Sequence, residues 1–235
     1  MNIAAILAGG KGTRVGTAVP KQFLELNSKM ILLRTVDKFL ETNLFDEIYI
    51  SVNEMWLEFT KKTLESYYSR NILKNIFLVN GGNERIFSFI NIVDEVKKKY
   101  GSNEDIIIIS HDAVRPFVTK EIIEDCIEKT KKFGVAMASI QSADTTYSSK
   151  KDGFLTSTYN RKELYLGQTP QGCNMKLLYE VLHSYSNEEL LKMTGTSQLF
   201  INKGIDVKIS LGSVNNMKIT TLQDIEFSSY ILEKE

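Results

Sequence analysis

The sequence predicts an α/β fold: a mostly parallel sheet with helices on both faces and a projecting β-arm. Three observations carry that prediction. Short apolar runs alternate with helical stripes from residue 3 to residue 140, the pattern that builds a parallel sheet covered by helices. Asp105–Ser110 reads DIIIIS with no alternation, as a central strand buried on both faces does. Residues 141–170 then break the rhythm with frequent Ser and Thr.

Taken in order, Ile3–Leu7 is an apolar run that meets glycine at once, a buried strand entering a tight turn. Ile31, Leu32, Val36, Phe39 and Leu40 recur at helical spacing, and Glu47–Val52 is rich in strand formers. Trp56, Phe59, Thr63 and Tyr67 share one helical face, and Ile76–Val79 is a short strand. Ile86, Phe89, Ile90, Val93 and Val96 form the next helical stripe; Ile122, Ile123, Cys126 and Ile127 form another before the strand Val135–Ile140. Within 141–170, Lys150–Gly153 reads as a hairpin tip and Phe154–Tyr159 as strand, either an arm leaving the domain or an edge hairpin lying flat. Leu177–Leu182 and Glu188–Met193 read as helices and Val207–Leu211 as a late strand; Thr221–Asp224 resembles a capping box opening the last helix. With no repeat or linker, residues 1–235 read as a single domain with the arm 141–170 inserted.

Lys plus Arg equals Asp plus Glu at 29 each, so no global field favours nucleic acid or an anionic membrane, and any anion site must be built locally. Cys126 and Cys173 stand apart, outside metal-ligand spacing, and read as reduced thiols. No basic leader precedes the first apolar run, and the longest aliphatic run, Ile106–Ile109, is too short to span a bilayer. The expected location is cytoplasmic, with no nucleic-acid or membrane partner.

Gly9, Gly10 and Gly12 follow the first strand, at the carboxyl edge where open α/β sheets bind ligands. Glycines let backbone N–H groups approach phosphate oxygens. The dinucleotide fingerprint fails because Val15 stands where its last glycine belongs, and the Walker loop fails because Gly12 follows Lys11. What remains is a glycine loop backed by Lys11, Arg14 and Lys21, suited to a triphosphate; the plain alternative is a turn with solvated lysines. Ser110–Pro116 (SHDAVRP) follows the most buried strand. Asp112 there is a hard oxygen ligand suited to Mg²⁺, and Arg115 offers a forked donor to phosphate, unless the two simply pair at the surface. His111 reads as orienting the loop rather than acting as a base, and His183 as structural or exposed. Gly81–Ser88 could read a base edge or simply start a helix capped by Asn83. Asn160–Lys162, Gly167–Gln171 and Asn216–Thr221 complete the set, and all three prolines of the chain fall in these segments, as rigid loops around one cleft would place them.

In this order the segments LAGGKGTR, PKQ, GGNERIFS, HDAVRP, NR with GQTPQ, and KITT resemble the bacterial alditol-phosphate cytidylyltransferases. The resemblance spans Leu7 to Thr221. It implies a Rossmann-like fold of the nucleotidyltransferase, glycosyltransferase-A-like type, and transfer of CMP from CTP to an alditol phosphate. Leu7–Gly10, Tyr165–Thr169 and Lys218–Thr221 look more like the members that act on D-ribitol 5-phosphate, giving CDP-ribitol for teichoic acid or capsule. The alternative is the related enzyme that acts on 2-C-methyl-D-erythritol 4-phosphate in isoprenoid synthesis.

The resemblance also implies roles. Leu7, Ala8, Gly9, Gly10 and Gly12 would cradle CTP, with Gly82, Arg85 and Ser88 on the cytosine and loop side. Arg14, Lys21 and Lys218 would be catalytic, and Asp112 would bind nucleotide through Mg²⁺. Arg115, Thr145, Arg161 and Thr169 would hold the alditol phosphate, the last two serving a partner's site in a homodimer joined through the 141–170 arm. Two departures stand out: Thr194-Gly195-Thr196 where relatives tend to carry an acid, and Asn83 where Asp is common. A nicotinamide oxidoreductase lacks its fingerprint here. A non-enzymatic nucleotide-binding relative has only Gly195 in its favour.

Overall fold

The structure is a computed structural model that describes residues 1–10, 19–101, 103 and 105–233. Its centre is β1 (Asn2–Ala8), paired in parallel with β4 (Glu47–Val52) on one side and β6 (Ile107–Asp112) on the other. β5 (Ile76–Asn80) extends the sheet beyond β4. On the far side lie β10 (Tyr165–Asn174), β7 (Val135–Gln141) and β11 (Lys208–Leu211), giving the order β11-β7-β10-β6-β1-β4-β5. β10 runs antiparallel to both neighbours and the other strands are mutually parallel. Two short pairs lie outside this sheet, β2 (Glu25–Leu26) with β3 (Lys29–Met30) and β8 (Tyr147–Ser148) with β9 (Ser157–Thr158).

Successive side chains of a strand point to opposite faces, and β1 divides accordingly. Ala4, Ile6 and Ala8 pack with α1 (Ile31–Thr42), α2 (Leu57–Tyr67) and α5 (Lys120–Phe133). Ile3, Ala5 and Leu7 pack with α4 (Arg85–Tyr100) and α6 (Met175–Leu182) on the other face, where Leu190, Leu199 and Phe200 join them. Those last residues come from α7 (Asn187–Leu191) and α8 (Gln198–Ile201), while α3 (Arg70–Leu73) is a single turn before β5. A third apolar cluster joins Val114, Phe117 and Ile219 to Ile225 of α9 (Leu222–Leu232) at the carboxyl edge of the sheet.

Local signals act as their chemistry requires. The Thr119 side chain caps α5 by accepting from Ile122 N, and Gly134 ends that helix at φ +84°. Thr221 and Asp224 form a reciprocal capping box on α9. Two expectations need correction. The helix after Gly82 starts at Arg85 with Glu84 as its cap residue, and Asn83 plays no such part. The arm is also shorter than 141–170: the Ser142 N–H bonds the Leu164 carbonyl at its base, and Tyr165 onward belongs to the sheet. Its tip turns at Gly153, but only Ser157–Thr158 of the expected Phe154–Tyr159 strand pairs as β9. Cys126 and Cys173 are free and buried.

Candidate active site

The carboxyl ends of β1, β5 and β6 open onto one edge. β1 delivers Ala8, Gly9 and Gly10 there; Lys11, Gly12 and Arg14 lie outside the described residues. Gly9 packs where a side chain has no room: a Cβ on it would lie 2.5 Å from Ser88 Oγ and 3.6 Å from Gly81 Cα. A Cβ on Gly82 would sit 2.3 Å from Phe87 Cβ. The two glycine loops are therefore in contact. Leu7 and Ala8 are strand residues whose carbonyls already accept from Ala113 N (3.1 Å) and Gln22 Nε2 (2.7 Å), which leaves them as a floor beneath the loop. Gln22 also donates to Gly10 O at 2.9 Å. Its neighbour Lys21 thus sits on a helical turn (Lys21–Phe23) tied back to the glycine loop, and Phe23 stacks on Trp56 at 4.9 Å. The Ser88 hydroxyl accepts from Gly82 N at 3.1 Å and is buried, so it shapes its own loop.

Asp112, at the end of β6, is 6% exposed and ringed by cations from three parts of the chain. Its Oδ1 accepts from Arg85 Nε at 2.8 Å; its Oδ2 lies 2.8 Å from Lys218 Nζ and 3.5 Å from Arg115 Nε. Burial alone would raise the carboxyl's pKa, but Arg85, Lys218 and Arg115 outweigh it and hold the group well below the usual carboxylate range. Three cations against one carboxylate leave the cluster at +2 (3 − 1), an electrostatic seat for a polyanion.

The donors are themselves braced. Arg85 Nη1 donates to Thr196 Oγ1 at 3.2 Å, and Arg115 Nη1 to Asn216 O at 2.7 Å. Thr196 belongs to the Thr194-Gly195-Thr196 segment, so the stretch where an acid was expected offers Arg85 a hydroxyl. A Cβ on Gly195 would make only ordinary contact with the Gln171 amide, at 3.4 Å.

His111 is fully buried and tilted against Phe39. Its Nε2 lies 3.1 Å from the Arg115 carbonyl, which can only accept, so that nitrogen carries the proton. Nδ1 then accepts from Thr169 Oγ1 at 3.0 Å, and the same hydroxyl accepts from Asp112 N at 3.2 Å. Burial lowers the imidazole to about 4, so it is neutral at pH 7. The chain Asp112 N–H to Thr169 to His111 to Arg115 locks the loop. Thr169 is 2% exposed, with its hydroxyl engaged in this chain of bonds.

The other two expected acceptor residues do not join the cluster within the chain. Arg161 Nη1 donates to Ala143 O at 2.9 Å inside the arm, and Thr145 is exposed beside it. Sequence reasoning named the segments that hold Gln22, Gln168, Asn216 and Thr196 but gave these four no role. Their signal was weak: they are uncharged polar side chains, while the charged residues of the motifs drew the chemistry.

Asp112 is a single carboxylate, and no group of three or more His, Cys, Asp or Glu among the described residues forms a metal cage. That donor set fits Mg²⁺, which is usually held by one or two carboxylates together with substrate phosphates and water. It does not fit a metal gripped by protein alone. Among the described residues, no helix is long and apolar enough to cross a membrane.

The sequence matches the family described as "IspD: 2-C-methyl-D-erythritol 4-phosphate cytidylyltransferase" over residues 2–234. The fold is similar to a 4-diphosphocytidyl-2C-methyl-D-erythritol synthase from Anaerococcus prevotii, with 29% identity and a TM-score of 0.82 over 99% of this chain and 98% of that one. A 2-C-methyl-D-erythritol 4-phosphate cytidylyltransferase from Francisella tularensis gives 28% identity and a TM-score of 0.79, covering 97% and 98% of the two chains. The cytidylyltransferase of that name from Thermus thermophilus shares the fold at 21% identity and a TM-score of 0.74, over 99% and 100%.

Proposed function

The chain belongs to the 2-C-methyl-D-erythritol 4-phosphate cytidylyltransferase family, a family of nucleotidyltransferases, and from that premise we propose that it transfers CMP from CTP to 2-C-methyl-D-erythritol 4-phosphate. The observation that carries the chemistry is the ring of Arg85, Arg115 and Lys218 around Asp112, at the same carboxyl edge of the sheet as Gly9. The acceptor reading is supported by the family match and by the names of the two relatives above 25% identity.

In this reading a phosphate oxygen of the acceptor attacks the α-phosphorus of CTP in line, forming the new P–O bond as the bond to pyrophosphate breaks. No covalent enzyme intermediate is required, because positioning and charge stabilisation suffice for such transfers. Arg14, Lys21 and Lys218 offset charge on the pentavalent phosphorus and on departing pyrophosphate, and Arg115 orients the acceptor phosphate. Asp112 would hold Mg²⁺, which supplies Lewis-acid neutralisation of the phosphate oxygens. With a local charge of +2, the cluster disfavours a free dication and favours the metal arriving with the triphosphate. Arg161 and Thr145 would reach a partner's site through the 142–164 arm of a homodimer.

Ribitol 5-phosphate is the second reading. It is favoured by Leu7–Gly10, by Tyr165–Thr169 and by Lys218–Thr221, segments that look more like the ribitol group. Incubating the protein with CTP, Mg²⁺ and each of methylerythritol, ribitol and glycerol phosphates, with pyrophosphate release and CDP products measured, separates the readings. The highest kcat/KM is expected with the methylerythritol substrate. A higher value with ribitol 5-phosphate selects the second reading, and no pyrophosphate with any acceptor removes both.

A further inference from the structure

We propose that Gln168 and Asn216 form a positioning clamp that sets Lys218 and Arg115 against Asp112. The inference rests on the reading that these cations act on phosphates. It starts from an irregularity in the sheet. Between Gly167 and Gln171, β10 advances four residues (171 − 167) while β7 advances two, from Ser139 to Met137 (139 − 137). The surplus lifts residues 168–170 out of the ladder, and such bulges re-aim side chains.

Gln168 uses that freedom to grip the loop that leads to Lys218. Its Nε2 donates to Ser213 O at 2.8 Å, and its Oε1 accepts from Ser213 N at 3.2 Å, as a paired backbone would. Asn216 is fully buried and faces the same bulge. Its Nδ2 donates to Thr169 O at 2.8 Å and lies 3.3 Å from Gln168 Oε1. Its main-chain carbonyl meanwhile accepts from Arg115 Nη1 at 2.7 Å. Three residues on, buried Ile219 donates its N–H to Val114 O at 2.9 Å.

Only Met217 and Lys218 separate these two anchors. A span that short leaves the main chain at Lys218 little freedom, and from there its ammonium reaches Asp112 Oδ2 at 2.8 Å. Arg115 is tied to the same asparagine. Gln168 and Asn216 need touch neither nucleotide nor acceptor; they act through the two cations.

The test is a double-mutant cycle with two readouts: inorganic pyrophosphate binding by calorimetry, and CDP-product kinetics. Asn216→Ala is expected to weaken pyrophosphate binding and to lower kcat/KM about 10–100-fold, mainly in kcat, the scale at which misplaced groups act. Lys218→Ala should weaken both as well, and the double variant should fall well short of additivity, because the asparagine works partly through the lysine and otherwise through Arg115. Full additivity, an unchanged Asn216→Ala protein, or pyrophosphate binding indifferent to Lys218→Ala would each overturn the clamp. Should Asn216→Ala fail to fold, Gln168→Met runs the same cycle, since it removes both bonds to Ser213 without adding a charge. Coupling in pyrophosphate binding without any CDP product would keep the clamp and remove the transfer reading. Product formation without coupling would do the reverse.

Discussion

Replacing Asp112 by Asn keeps the shape of the side chain and removes its charge. Arg85, Arg115 and Lys218 then face one another without a counter-charge. Two charges about 4 Å apart interact by roughly 4 kcal/mol at an effective dielectric of about 20. Part of each such term is offset by the cost of burying the carboxylate, and breaking a buried pair from one side costs roughly 3–5 kcal/mol. The Lys218 side chain is 34% exposed and Arg85 21%, so solvent screens the repulsion and the low end applies, about 3 kcal/mol. For a chain of this size each kcal/mol moves Tm by roughly 2–4 °C, so Asp112→Asn should melt roughly 6–12 °C below the parent. Calorimetric melts at pH 7 in low salt measure this directly. Pyrophosphate should raise the variant's Tm more than the parent's, because its oxygens replace the lost carboxylate. Acid should affect the two proteins differently. Burial pushes the Asp112 carboxyl up but the three cations pull it well below its ordinary value, so their stabilisation is complete above about pH 4 and fades as pH falls toward the folded value. The Asn variant should lack that part of the acid transition. A variant that melts within about 2 °C of the parent, or above it, would show that the ring of cations is not held by Asp112.

Three further outcomes are expected. His111 is held neutral, with burial lowering it to about 4 against about 6.5 when unfolded, so the unfolded chain binds the extra proton between those values. Stability should rise by about 3 kcal/mol from pH 4 to pH 6.5 on this account, and urea melts should show a flatter profile for His111→Asn. Lys21→Ala should cut turnover by roughly 10²-fold while the protein stays folded, the usual scale for one preorganised contact; near-normal steady-state turnover would remove its role. Gly82→Ala forces a Cβ to within 2.3 Å of Phe87 Cβ. It should cost roughly 1–3 kcal/mol and abolish CTP binding, read by the fluorescence of Trp56, the chain's sole tryptophan.

The fold was most legible where one segment carries its own reason. DIIIIS has no polar face to offer solvent, so a buried central strand is its natural home, and β6 occupies it. Thr221 and Asp224 are close in sequence, and their capping box needs no distant partner. β10 was not legible. YLGQTPQGCN shows neither alternation nor an apolar run, and its strand character comes from lying between β6 and β7. The same distinction divides the site. Glycines at 9 and 82 announce close backbone approach by composition alone. That Arg85 and Lys218 meet on Asp112 depends on pairings across 27 and 106 residues (112 − 85; 218 − 112), which no local pattern encodes. Thr169 divides the same way: its motif is local and visible in the sequence, while the engagement of its hydroxyl with His111 and the Asp112 amide is visible only in the geometry.

The late strand in the middle of the sheet has a consequence for synthesis. Residues 1–112 supply β6-β1-β4-β5, four parallel strands with local crossovers, while β7 and β11 join them only through β10. As the polypeptide leaves the ribosome, the amino-terminal half can assemble first, but Ile107–Ile109 then present an unpaired aliphatic border until residue 174 emerges. Such a border templates association between chains. A nascent chain stalled inside the arm would carry it uncovered, so slow translation through the arm exposes this protein to misassembly.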